Sequence, residues 1–156
     1  MKKSNQKLLI EQIDRKIALF NPINGIEPPA TGWIHVIRTA IKMSLRQFGE
    51  RMDMTPPSAK EIEQREAAGT ISLKSLKDAA IAMDMKFVYG FVPLNGSLQT
   101  MIERRANEIA KKIVMRTSHT MKLEDQEVGN ARLEKAIKEL AAEIRQEMPR
   151  YLWDLK

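Results

Sequence analysis

Between residues 33 and 83 an apolar spacing of three and four residues runs four times, each of the three restarts set off by a residue that caps or breaks helices. Ile34, Ile37 and Ile41 keep the spacing first. Ser44 opens a second run with Leu45, Phe48 and Met52, Thr55-Pro56-Pro57 opens a third that Gly69 closes, and Ser72 opens a fourth with Leu73, Leu76, Ala80 and Met83 facing inward. Such periodicity buries one stripe of each helix. Ser and Thr hydroxyls accept from first-turn N–H groups, proline is tolerated there, and glycine takes the left-handed turn that ends a helix. Short helices in close succession can share a core only as a compact helical bundle.

The flanks extend the helical reading. From about Ser4 to Phe20, Leu9, Ile13, Ile17 and Phe20 form one stripe, with Asn21-Pro22 as its stop, and NPINGIEPPATG reads as a linker. After Asn95-Gly96, Leu98, Ile102, Ala106, Ile109 and Ile113 form one stripe and Leu133, Ile137, Leu140 and Ile144 another. The polar run Thr117-Ser118-His119-Thr120 between them predicts the turn of an antiparallel helical hairpin. Tyr151, Leu152 and Trp153, behind Pro149, are expected to anchor the chain end. FVYGFVP, residues 87–93, is the one strand pattern. A lone strand leaves its backbone groups unpaired, so its partner is expected in the proline-rich linker or, the favoured reading, in the same strand of a second copy; the alternative is an extended connector with no pairing. The expectation is an all-α protein with one short β-strand, divided into an N-terminal helix and linker (1–31), a helical domain ending in the strand (32–93) and a C-terminal hairpin (94–156).

The 26 basic and 20 acidic side chains leave a net charge of +6, which favours polyanionic partners. The excess is spread evenly: residues 1–32 carry five basic and three acidic groups, 33–93 nine and seven, 94–156 twelve and ten. The absence of cysteine excludes disulfides, thiolate catalysis and cysteine metal sites, and His35 and His119 stand too far apart in sequence for a histidine cluster. No phosphate loop, nucleophile elbow or HExxH is present, so neither an enzyme nor a cofactor or metal is expected. Glu11 and Asp14 interrupt any leader-like apolar core, and no apolar run reaches membrane-spanning length, so a cytoplasmic protein is expected.

The run RTAIKMSLRQFGERMDMTPPSAKEIEQREAAG has the dimensions of a helix-turn-helix. It resembles the Xre/Cro family of phage-repressor-like DNA-binding domains over about Gly32 to Met85, with Ser44 at the start of the second helix, Phe48-Gly49 where that family has Leu-Ala, and Thr55 capping the recognition helix. In this register the family's arginine–glutamate pair falls on Arg38 and Glu63, expected to be a structural ion pair. A recognition helix starting at Thr55 presents its first turn to the major groove, where its dipole and free N–H groups favour phosphate. Ser58, Glu61 and Arg65 share one face; Arg65 suits a guanine edge or a phosphate, Ser58 either, and Glu61 a cytosine amine. Pro56 and Pro57 suit a thymine methyl, Lys60 the backbone, and Arg46 and Gln47 flanking phosphates.

A wider resemblance covers essentially the whole chain: EIEQREAAGTISLKSLKDAAIAMDMKFVYGFVP, then TMKLEDQ and a terminal LWD, are similar to the mobile mystery protein A family. Members of that family are encoded beside a Fic-domain protein, which implies an antitoxin and autoregulator of a Fic-type toxin. The resemblance further implies that Thr120 and Glu124 match the Ser/Thr-xxx-Glu core of Fic inhibitory helices, with Asp125 departing from that pattern. The combined expectation is a homodimer that reads duplex operator DNA, represses its own operon and restrains a Fic toxin through the hairpin. The rival is an antitoxin acting through protein contacts alone.

Overall fold

The computed structural model describes residues 2–123 and 129–155, with side chains for 4–119 and 129–155. Among these residues the protein is all-helical. The α-helices are α1 (Lys2–Ala18), α2 (Trp33–Ala40), α3 (Leu45–Arg51), α4 (Pro56–Ala68), α5 (Leu73–Ala82), α6 (Leu98–Leu123) and α7 (Asn130–Glu147), with 3-10 turns at Asn21–Ile23 and Arg150–Trp153. They form two compact units, Ile23–Gly90 and a discontinuous unit made of Met1–Pro22 with Phe91–Lys156.

In the Ile23–Gly90 unit, α2 to α5 close around Ile34, Phe48, Ala59, Ile62, Ala79, Ala82 and Met83, with Ile37, Met43, Leu45, Met52, Met54, Ile71 and Leu76 packed against them. Leu73, expected to face inward, is exposed. Leu76, also expected to face inward, packs against the cluster one turn further along α5. Ser44, Thr55 and Ser72 cap α3, α4 and α5 by accepting from the N–H of Gln47, Ser58 and Ser75. Each helix closes with the paired bonds that a left-handed residue permits. That residue is Gly69 after α4, but Lys42 (φ 56°), Asp53 (φ 54°) and Asp84 (φ 59°) after α2, α3 and α5. After α3, for example, Met54 N–H donates to Gly49 O (2.9 Å) and Asp53 N–H to Glu50 O (3.3 Å). The turn thus folds back tightly over Gly49, where a Cβ would stand 2.7 Å from Met54 O.

In the other unit, Ile102, Ala106 and Ala110 of α6 face Ala141 and Ile144 of α7, with Leu152 fully buried among them and Ile10 of α1 packed alongside. Glu103 and Arg145, 3.2 Å apart, join the start of α6 to the end of α7, so the two helices are antiparallel. Asp14 of α1 accepts from Leu98 N–H (2.8 Å) and Gln99 N–H (3.2 Å), capping α6 across 84 residues of sequence. Arg105 donates from Nε to Leu152 O at 2.7 Å and from Nη2 to Asp154 O, which fixes the segment behind Pro149. The N-terminal helix therefore groups with the C-terminal helices.

Two further expectations change. The predicted break at residues 117–120 is helical, because Thr117 returns its hydroxyl to Ile113 O (3.0 Å) and Ser118 is buried within α6; α6 runs on to Leu123. The expected strand at residues 87–93 is not formed. The segment runs without regular structure, and among the described residues no backbone ladder partner reaches it. A strand needs a neighbour, and among the described residues none pairs with this segment.

Candidate nucleic-acid interface

Two carboxylates on one side of α4 hold that helix against α2. Glu63 accepts from Nε and Nη2 of Arg38, while Arg38 Nη1 donates to Met43 O at 2.7 Å, tying the α2–α3 turn into the same network. His35 Nδ1 lies 3.0 Å from the second Glu63 oxygen. The Arg38 and Glu63 side chains are only 10% and 8% exposed. Burial pushes the Glu63 carboxyl up, but the hydrogen bonds and charges of Arg38 and His35 outweigh it and hold the group below its ordinary value.

One turn further, Glu66 accepts from Trp33 N–H (2.9 Å) and Ile34 N–H (2.8 Å). This carboxylate supplies the cap that α2 lacks locally, since its N-cap is Gly32, which has no side chain to offer. Gly32 is itself required: its φ is 83°, and a Cβ would meet Glu66 Oε2 at 2.7 Å. The sequence pointed to the Arg38–Glu63 pair but not to Glu66, because a cap delivered from 32 residues away leaves no local signature. The one available signal was a glycine where a capping hydroxyl is expected.

The face of α4 turned away from this latch carries Ser58, Glu61 and Arg65, all exposed, with Lys60 also in solvent. Arg65 Nη2 donates to Glu61 at 2.5 Å, so the two side chains satisfy each other. Arg46 is paired with Glu50 at 3.0 Å. The side-chain carbonyl of Gln47 accepts from Ser44 N–H (2.8 Å) while Ser44 Oγ accepts from Gln47 N–H (3.1 Å), a reciprocal cap that leaves the Gln47 amide donors outward. Among the described residues Lys60 has no such partner.

The start of α4 differs from expectation. Pro56 and Pro57 have no N–H, and the Ser58 N–H is taken by Thr55 Oγ1 at 3.4 Å, while Thr55 Oγ1 also reaches Ser58 Oγ at 3.0 Å. The first turn therefore offers no free backbone donor to a phosphate. What it presents is the apolar edge of two proline rings, the Ser58 hydroxyl and the positive end of the helix dipole.

Glu124 lies outside the described residues, and of Thr120 only the backbone, within α6, is described. Among the described residues no three His, Asp or Glu side chains converge as a metal site, and no helix is long and apolar enough to cross a membrane. An open cleft of about 860 Å³ lies in the discontinuous unit, lined by Lys7, Ile10, Gln99, Ile102, Arg145 and Met148 among others. No protein-family model, curated protein or solved structure matches this chain.

Proposed function

We propose that this protein is a sequence-specific binder of duplex DNA that represses its own operon as a homodimer, with α3 and α4 serving as an Xre/Cro-like helix-turn-helix. The observation that carries the reading is the latch on α4. A four-residue connection and two carboxylate contacts to α2 hold one exposed helix face rigidly in place, and a helix presented to the major groove needs that preorganisation. Beside that face, Lys60 is free to reach phosphate. Arg65 exchanges Glu61 for a guanine edge or a phosphate, which releases Glu61 towards a cytosine amine. The Pro56 and Pro57 rings lie against a thymine methyl. In a two-fold dimer the two helices read half-sites about 34 Å apart.

The resemblance to the mobile mystery protein A family supports the further proposal that the partner is a Fic-type toxin held by the α6–α7 hairpin, with Thr120 and Glu124 as the inhibitory pair. A second reading, an antitoxin acting through protein contacts with little specific DNA binding, is favoured by two observations. Arg46 and Arg65 are already neutralised by Glu50 and Glu61, and the first turn of α4 lacks free N–H groups.

Fluorescence anisotropy with the DNA upstream of the gene and a shuffled control, across a salt series, separates them. The DNA reading expects tighter binding to the native sequence that persists at physiological salt. It also expects a loss of a few kcal/mol at most when Lys60 and Arg65 are both replaced by alanine. Equal binding to both sequences that vanishes with salt reports only the net positive charge and refutes it. For the toxin proposal, Glu124→Ala is expected to release the toxin; continued inhibition rejects that site.

A further inference from the structure

We infer that residues 86–92 are the contact between two copies of this chain, paired as antiparallel strands with the two-fold axis on Tyr89. The inference gives the proposed homodimer its interface, but it stands on observations independent of DNA.

Around this segment the chain exposes Met85, Val88, Tyr89, Phe91 and Leu94, with Tyr89 61%, Phe91 81% and Leu94 97% accessible. Lys86 is the one charge between residues 85 and 97. Counted with the flanking Met85 and Leu94, these exposed residues amount to on the order of 600 Å² per copy, at the lower edge of the roughly 600–1,000 Å² each partner buries in a stable interface. Among the described residues the backbone groups of this stretch have no ladder partner. The rings of Phe87 and Tyr89 already stack 5.9 Å apart, as neighbours two apart do on one face of an extended chain.

The segment is complementary to itself. A two-fold axis between antiparallel strands must pass through a residue facing its own copy. Placed on Tyr89, it sets Phe87 opposite Phe91 of the other copy and Tyr89 opposite Tyr89, so one face of the ribbon carries six aromatic rings. It keeps the two Lys86 side chains apart, each opposite Val92. Pro93 then fixes the hydrogen-bond phase. Lacking an N–H, Pro93 must sit at a non-bonded pair, opposite residue 85. Counting inward by twos, Tyr89–Tyr89 is also a non-bonded pair, and Val88–Gly90 and Lys86–Val92 are the bonded ones. All four of those residues have an N–H to donate.

The absence of cysteine makes the test direct. Non-bonded antiparallel neighbours have Cα atoms about 4.5 Å apart, within disulfide reach. Single-cysteine variants Val88→Cys, Tyr89→Cys, Gly90→Cys and, as a collision control, the fully exposed Leu155→Cys are oxidised with diamide at tens of micromolar, and covalent dimer is timed on non-reducing gels. Tyr89→Cys is expected to link on the order of tens of times faster than Leu155→Cys, the ratio of a millimolar effective concentration to the bulk one. A maximum at position 88 or 90 overturns the register. A Tyr89→Cys rate no greater than the control, or a monomeric wild-type mass by light scattering, overturns the interface. Val88→Pro removes a bonded donor that is unused among the described residues of one chain. It is expected to give a monomer with unchanged helical circular dichroism, and a persistent dimer refutes the pairing. All these readouts are taken without DNA, so they separate failure of the dimer contact from failure of operator binding.

Discussion

Replacing Arg38 by alanine leaves Glu63 as a buried carboxylate with only His35 beside it. The arginine spends all three of its observed donors here, Nε and Nη2 on Glu63 and Nη1 on Met43 O, so the substitution also strips the α2–α3 turn of a bond. Because both side chains are about nine-tenths withdrawn from solvent, water screens little of the loss. Breaking such a pair from one side costs about 3–5 kcal/mol. His35, 3.0 Å from Glu63 and half-exposed, can take up part of the charge, which sets the expectation near the lower end, about 3 kcal/mol. The assay is urea unfolding followed by Trp33 fluorescence in a Trp153→Phe background. For a unit of this size the midpoint is expected to fall by about 2–3 M. The pH dependence supplies a second check. The folded pKa of Glu63 is depressed, so its contribution is fully present above the unfolded value and is lost as pH falls through the folded one. Without Arg38, burial instead favours the neutral acid. The difference between variant and wild type should therefore shrink on going from pH 7 to pH 4. A shift below about 1 kcal/mol at pH 7, or a difference that grows in acid, refutes the reading of a desolvated latch. The double substitution Arg38→Met with Glu63→Leu should recover most of the loss, since it leaves no charge behind.

Gly49→Ala should destabilise the same unit by about 1–3 kcal/mol, because its new methyl meets the Met54 carbonyl, a backbone atom that cannot rotate away; thermal unfolding equal to wild type would show that the turn has slack. Lys42→Gly should raise stability by about 0.5–1 kcal/mol by relieving a left-handed backbone at an exposed residue, and a lower melting temperature would count against it. Asp14→Ala should cost about 1 kcal/mol in the unit that contains Trp153, through loss of the α6 cap; an unchanged Trp153 unfolding curve would mean that water replaces the carboxylate fully.

The helix starts at Ser44, Thr55 and Ser72 were legible because cap chemistry is local: a hydroxyl and an N–H three residues on are enough. Among the helices of residues 33–83, an end was legible only where glycine marks it, at Gly69. Lys42, Asp53 and Asp84 adopt the same left-handed geometry without the residue that signals it. The hydroxyl run at residues 117–120 read as a turn, yet a helix satisfies such groups by returning them to its own carbonyls. What sequence spacing could not reveal at all were the two caps delivered from afar, Glu66 to α2 and Asp14 to α6. The same holds for the membership of α1, since its partners lie more than 80 residues away. For the candidate interface, composition and register located the residues of α4, while the pairing of Arg65 with Glu61 and the loss of free N–H groups behind Pro56-Pro57 emerged only with the side chains in place.

The discontinuity of the unit built from α1, α6 and α7 has a consequence for synthesis on the ribosome. Residues 23–90 form a continuous unit and can close as soon as they emerge. Helix α1 is made first but has nothing to pack on until Leu98 and the helix behind it appear, a wait of roughly 4–16 s at about 5–20 residues per second. During that interval its Ile10, Ile13 and Ile17 stripe is uncovered. A nascent chain halted near residue 95 should hold a protease-resistant middle and a cleavable N-terminal helix, and the second should become protected only after α6 has been made.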